Sequence, residues 1–289
     1  MEKKNDDYKK EEQPKKSNIK QRLITGFTFG ITATILLYFN RYTLQILQGT
    51  LSLIMFHELS NIFDANKHER LIGLVLFIFS QVMLLFHQFE LLIDSYPFIS
   101  FLAFCTYALY SHDMIKSLKL FFASFWSIHC LTYAIGCVDV TGSQFVPLYA
   151  IFSTCWNDGF QYLFGRLFGK HKPFKYVSPN KSIEGYLGGL LAMIILCFIA
   201  EENVIYMVGV VYFIGICGDL MASCLKRQLG IKDFGTILPG MGRMFDRMDS
   251  ITIVLTASYY WFKFAGYHPG TVIRCIQHYF YFTDDHCPI

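Results

Sequence analysis

Nine stretches of this 289-residue chain contain no Asp, Glu, Lys or Arg: residues 23–39, 42–56, 71–86, 95–110, 120–138, 140–157, 186–200, 203–218 and 250–262. In lipid, a stretch of that kind can satisfy its own backbone only as a helix or within a closed barrel. Their length and succession point to an all-α fold, a polytopic transmembrane helical bundle. Several are shorter than the roughly 20 residues that cross a bilayer unaided, so the expectation is about eight to nine spans that recruit flanking residues. Composition agrees, with 53% of residues hydrophobic, 17% aromatic and 16% charged, a balance foreign to ordinary soluble domains.

The first 22 residues, MEKKNDDYKKEEQPKKSNIKQR, carry eight Lys/Arg against five Asp/Glu. They read as a flexible, solvated cytosolic tail with some attraction to anionic lipid, and not as a nucleic-acid binder. A cleaved leader begins with a short basic region, so the run LITGFTFGITATILLYF reads as a retained span. With the N-terminus cytosolic and all nine runs crossing, the inside loops are 1–22, 57–70, 111–119, 158–185 and 219–249, and they hold 22 of the 25 Lys/Arg. That asymmetry follows the positive-inside rule. Both long polar loops then share the cytosolic face. The expected organisation is a tail (1–22), a transmembrane scaffold (23–156), a transmembrane site region (157–266) with polar loops at 157–185 and 219–249, and a C-terminal segment (267–289).

Several familiar chemistries are excluded. The nine cysteines form no C-x-x-C pair, and Cys105, Cys130, Cys137, Cys197 and Cys217 lie in apolar runs as small hydrophobes, not as zinc or disulfide partners. HELSN at 57–61 lacks the second His of a zinc peptidase, and no phosphate-binding G-x-x-x-x-G-K-[ST] loop occurs. Single histidines within apolar stretches, such as His129, read as packing residues. A transporter would line a path with charges inside the spans, whereas here they gather at loop ends.

Those loop ends carry the candidate chemistry. The first loop begins at Asn157 and Asp158 and enters the next helix through Ser178, Pro179, Lys181 and Glu184. In the second, Asp219, Ser223 and Arg227 recur every four residues and share a helical face, with Lys226 adjoining. Asp246 and Asp249, three apart, share another. Carboxylates and cations gathered at one membrane surface suit a Mg2+-bound triphosphate, the metal taking oxygen ligands while Lys and Arg neutralise phosphate. A surface salt-bridge network, with Asp158 as a helix cap, is the alternative that charge alone leaves open.

The order Ser223-x-Leu225-Lys226-Arg227, Lys232-Asp233-Phe234, Pro239-Gly240 and Asp246-Arg247-x-Asp249 resembles the signature of the CDP-diacylglycerol synthases, or phosphatidate cytidylyltransferases. The first loop resembles an earlier motif of that family through Asn157-Asp158, Tyr162, Gly165 and Ser178-Pro179-x-Lys181-Ser182-x-Glu184-Gly185. FHE at 56–58 and FKFAGYHPGTVIRCIQ near the end resemble its eukaryotic branch. The resemblance implies cytidylyl transfer from CTP to phosphatidic acid with Mg2+, membrane lipids as the other partners and no nucleic acid. It assigns Asp219, Asp246 and Asp249 to the metal, Lys226, Arg227 and Lys232 to the reacting phosphates with Asp233 as a further catalytic residue, and Asn157, Asp158, Lys181, Glu184 and Ser223 to the nucleotide. It favours the endoplasmic reticulum, with a mitochondrial membrane as the alternative. The oligomeric state stays open between a homodimer and a subunit of a membrane complex.

The chain departs from that family at four points. Ala222 stands at a usual Glu, Met241 at a His, Arg243 at a Gly and Gln161 at a small residue. Ala222, Met241 and Arg243 motivate a second reading, a catalytically silent relative serving as a structural membrane subunit or lipid binder.

Overall fold

The computed structural model describes residues 41–201, 203–231 and 244–265. These form eight helices: α1 Arg41–Ile62, α2 Lys67–Leu85, α3 Phe89–Ser111, α4 Met114–Thr141, α5 Phe145–Phe168, α6 Ile183–Ala200, α7 Ile205–Gln228 and α8 Phe245–Ala265. Each of the last eight apolar runs falls mainly in one of them, the run 140–157 starting in the last turn of α4 and crossing the turn at Gly142 into α5, and no strand occurs among the described residues. The run at 23–39, with the tail and the C-terminal segment, lies outside the described residues.

Local chemistry sets several of the ends. Asn66 and Glu69 form a reciprocal capping box at the start of α2, at 3.0 and 2.7 Å. Asp113 accepts from the Lys116 N–H at the start of α4, and Ser182 from the Gly185 N–H at the start of α6. Gly142, at φ +67°, ends α4 in the left-handed conformation that side chains disfavour. Two stretches wind more loosely, as π-helix, at Phe125–His129 within α4 and Ile205–Ile214 within α7.

The helices run up and down. At one end, the Arg41 guanidinium of α1 grips Asp139 of α4 at 2.7 and 2.9 Å and donates to the Leu84 carbonyl of α2. Glu90 of α3 pairs there with Lys263 of α8. At the other end, Lys116 of α4 lies 3.4 Å from Glu69 of α2, and Lys181 ahead of α6 lies 3.2 Å from Asp219 of α7. The 157–185 loop and the described ends of the 219–249 loop therefore lie at one end of the bundle.

Five helices are long and apolar enough to cross a membrane: α2, α3, α4, α6 and α7. The remaining three are interrupted by polar residues, Gln45, Gln48 and Glu58 in α1, Asn157, Asp158 and Gln161 in α5, and Asp246, Arg247 and Asp249 in α8. By length and composition, five of the expected eight to nine spans qualify among the described residues. The central helix is α4, whose apolar window is 83% buried against 28% for α2. Its Trp126 donates to Thr252 of α8 at 2.8 Å, and His129 stacks on Tyr96 with ring centres 5.3 Å apart. His129 is thus the packing histidine that its apolar setting implied.

Lipid tails are as apolar as Leu, so helices here associate through close packing and internal hydrogen bonds. The α5–α6 contact has that character. A Cβ on Gly189 would stand 2.5 Å from Gln161 Cγ and 2.8 Å from Asn157 Oδ1, and one on Gly188 would overlap Phe164. Gly189→Val should therefore wedge the two helices apart and cost about 1–3 kcal/mol, the usual range for overpacking. Thermal melting in detergent would show it as a lower midpoint than wild type; an unchanged midpoint would mean that the contact yields freely.

Candidate active site

Helices α5, α7 and α8 meet near the end where the first loop and the described ends of the second lie. Gly215 of α7 faces both Val254 of α8 and Asn157 of α5, and Gly218, one turn on, lets α7 approach the α8 backbone closely. The carboxylates stand on either side of this contact.

A polar chain begins in α5. Asn157, fully buried, accepts from Gln161 Nε2 at 2.8 Å, and Gln161 Oε1 accepts from Lys181 Nζ at 3.2 Å. The same ammonium forms an ion pair with Asp219 Oδ2 at 3.2 Å. Burial works to lower the Lys181 pKa, but the charges of Asp219 and Asp158 more than reverse this and hold it above its ordinary value. Lys181 thus stays a cation. Asp158 lies within electrostatic reach of Lys181 and Asp219.

The second loop supplies the opposite wall. Lys226 Nζ donates to Asp246 Oδ1 at 3.0 Å across the gap between α7 and α8. Asp249, 5% exposed, accepts from the Ser250 N–H at 2.8 Å and lies within electrostatic reach of Asp219, Lys226 and Asp158. Ser223 is buried on α7. Arg227 turns toward the first loop, its Nε donating to the Val177 carbonyl at 3.1 Å.

The structure thus brings together Asn157, Asp158, Lys181, Asp219, Lys226, Asp246 and Asp249. Glu184 stands apart from them. It accepts from the backbone N–H groups of Lys170 and His171 and pairs with His171 Nδ1 at 2.6 Å, folding the 169–182 loop onto the start of α6. Lys232, Asp233, Met241 and Arg243 lie outside the described residues. Ala222 is wholly buried on α7.

Among the described residues, no three His, Cys, Asp or Glu side chains form a metal-ligating set by themselves. The donor chemistry still fits a hard cation. Asp158 Oδ1 is buried with no hydrogen bond, and Asp219 Oδ2 has its ion pair but no aligned hydrogen bond. Mg2+ characteristically takes one or two protein carboxylates and completes its shell with substrate phosphates and water.

Two residues that sequence reasoning passed over help to build this end. Gln161 was visible only as a departure from a family pattern, yet it links Asn157 to Lys181. Glu58 of α1, fully buried, accepts from the backbone N–H groups of Met244 and Phe245 at 3.0 and 2.9 Å, where α8 begins. The signal available was a carboxylate beside an apolar run, which demands a partner.

Residues 20–265 match the family described as the cytidylyltransferase family. A phosphatidate cytidylyltransferase of Staphylococcus haemolyticus is 43% identical over 117 residues, which cover 37% of this chain and 45% of that protein. One of Staphylococcus aureus is 44% identical over 117 residues with the same coverage. An uncharacterized protein of Escherichia coli, YnbB, is 30% identical over 199 residues, 63% of this chain and 67% of that protein. The chain thus spans less than half the length of the staphylococcal relatives it matches.

Proposed function

Because the chain belongs to the cytidylyltransferase family, we propose that it transfers the cytidylyl group of CTP to phosphatidic acid, giving CDP-diacylglycerol and pyrophosphate. The observation that carries this reading is the meeting of two loops around the Lys181–Asp219 and Lys226–Asp246 pairs, with Asp249 beside them. A phosphate oxygen of phosphatidic acid attacks the α-phosphorus of CTP. The bond from that phosphorus to the oxygen bridging to the β-phosphorus breaks, and pyrophosphate leaves with the electron pair. Such a transfer needs positioning and charge neutralisation more than covalent help.

Of Asp219, Asp246 and Asp249, one or two at a time would hold Mg2+ together with substrate phosphates, and the ion when bound would neutralise charge gathering on the pyrophosphate. Lys226, Arg227 and Lys232 would bind phosphate oxygens, with Asp233 beside them. Asn157, Asp158, Lys181 and Ser223 would face the nucleotide, and Glu184 would fix the loop that carries Lys181. The Lys181 and Lys226 ammonium groups each neutralise a carboxylate, those of Asp219 and Asp246. The triphosphate would draw the ammonium groups toward itself and leave the carboxylates free for the cation. An unpaired charge at such depth is expensive, so this exchange of partners keeps the site balanced in both states.

The name of the staphylococcal relatives supports phosphatidic acid as the acceptor, and the comparisons lend the silent-relative reading no support. The positive-inside count and the placement of the first loop and the described ends of the second at one end of the bundle support a cytosolic site, a cytosolic N-terminus and eight to nine crossings. The endoplasmic reticulum rests on the eukaryotic-branch resemblance. Purified protein with phosphatidic acid, Mg2+ and CTP labelled at the α-phosphorus should yield labelled CDP-diacylglycerol. No labelled lipid at any Mg2+ or Mn2+ concentration between pH 6 and 9 would reject the reading.

Gln161→Leu gives a finer check. It keeps the bulk between α5 and α6 and removes the acceptor for Lys181 and the donor to Asn157. Leaving such groups unsatisfied costs about 1–3 kcal/mol, so KM for CTP should rise about tenfold while KM for phosphatidic acid holds. Equal changes in both constants would place Gln161 outside the nucleotide side.

A further inference from the structure

We infer that Glu58 is a positioning residue: its carboxylate, reaching from α1, sets where α8 begins and so where Asp246 and Asp249 stand against Asp219 and Lys226. The inference rests on the reading of those three aspartates as the metal side of the site.

The geometry is specific. Glu58 is fully buried, and its two oxygens accept separately from consecutive backbone N–H groups, Oε1 from Met244 at 3.0 Å and Oε2 from Phe245 at 2.9 Å. The first N–H groups of a helix have no partner within it. A carboxylate there gains charge-assisted bonds and the favourable end of the helix dipole. Phe245, itself fully buried, packs edge-on against Trp126 of the central helix, with ring centres 5.2 Å apart. Asp246 follows at once and Asp249 one turn later. The start of α8 is held by a contact from outside α7 and α8, a side chain of a third helix.

The arrangement also decides which kind of ligand this helix end serves. Helix N-termini commonly bind phosphate. Here Glu58 fills that position, which leaves the start of α8 to present carboxylates and gives phosphate recognition to the Lys and Arg groups.

The test uses the full-length protein in lipid nanodiscs. Glu58→Gln keeps the shape but turns an amide NH2 toward a backbone N–H, and Met244→Pro deletes one donor just ahead of the helix, where no intrahelical bond from that residue's N–H is lost. Thr252→Val, which removes the Trp126 hydrogen bond elsewhere on α8, controls for simple loss of stability. Both altered contacts should speed amide exchange at residues 245–249 at least tenfold and leave 254–262 unchanged. They should also raise the Mg2+ concentration at half-maximal rate about tenfold, with KM for phosphatidic acid within twofold of wild type. Thr252→Val should change neither. Should Glu58→Gln fail to insert, Met244→Pro decides alone.

Wild-type exchange at 245–249, or altered exchange with wild-type Mg2+ dependence, would overturn the inference. If wild type makes no product yet exchange at 245–249 accelerates, the cytidylyl-transfer reading falls and the bracing of α8 by Glu58 stands.

Discussion

Replacing Asp219 by Asn should lower CDP-diacylglycerol formation about a thousandfold or more, with the protein still folded and inserted. Asp219 is the shared neighbour of the cluster, paired with Lys181 and within reach of Asp158 and Asp249. Removing a preorganised charge of this kind commonly costs 10²–10³ in rate, and loss of a metal ligand would add to it. The substitution also leaves the Lys181 ammonium without its ion pair, which could lower stability by itself. The double variant Lys181→Met with Asp219→Asn separates the two effects. It should recover the melting temperature of wild type and stay inactive. Turnover within tenfold of wild type in the single variant would remove Asp219 from the site.

Gly218→Val should lower turnover about a hundredfold although residue 218 contributes no side chain to the chemistry. A Cβ there would sit 3.0 Å from Ser250 Cα and 3.1 Å from the Asp249 carbonyl oxygen. Both are backbone atoms, so relief requires the helices to move apart. The added atoms of Val increase that demand. Displacements near 1 Å are enough to cost on the order of a hundredfold in rate, while the overpacking itself should take only about 1–3 kcal/mol from stability. Turnover and melting temperature measured together would show the rate falling far more than the fold. Normal turnover would mean that the spacing of α7 and α8 does not govern the chemistry.

The apolar runs announced the helices well, because an uncharged stretch in lipid has few other ways to satisfy its backbone. They were poorer guides to how many cross. Glu58, Asp158 and Asp249 stand at the edges of runs in α1, α5 and α8, and length and charge alone cannot say whether such a helix traverses lipid or is shielded by its neighbours. The helical spacing of Asp219, Ser223 and Arg227 was legible, and all three lie on α7. Their partners were not. Arg227 turns to a carbonyl in the other loop and Lys226 reaches Asp246, pairings that depend on tertiary approach and leave no periodic trace. Glu184 has the same lesson in reverse, since its turn toward His171 follows from how the intervening loop folds.

The loosely wound stretch Ile205–Ile214 lies upstream of Asp219 on the same helix. In ordinary helix each residue turns the chain by about 100°, so inserting or deleting a single residue in this stretch would swing Asp219 away from its neighbours unless the winding absorbed it. Chain length between 205 and 218 is therefore a rotational setting for the carboxylate. Substitutions at its exposed positions, Ile205 and Phe213, can be absorbed by lipid, whereas a one-residue indel should behave like loss of Asp219 itself.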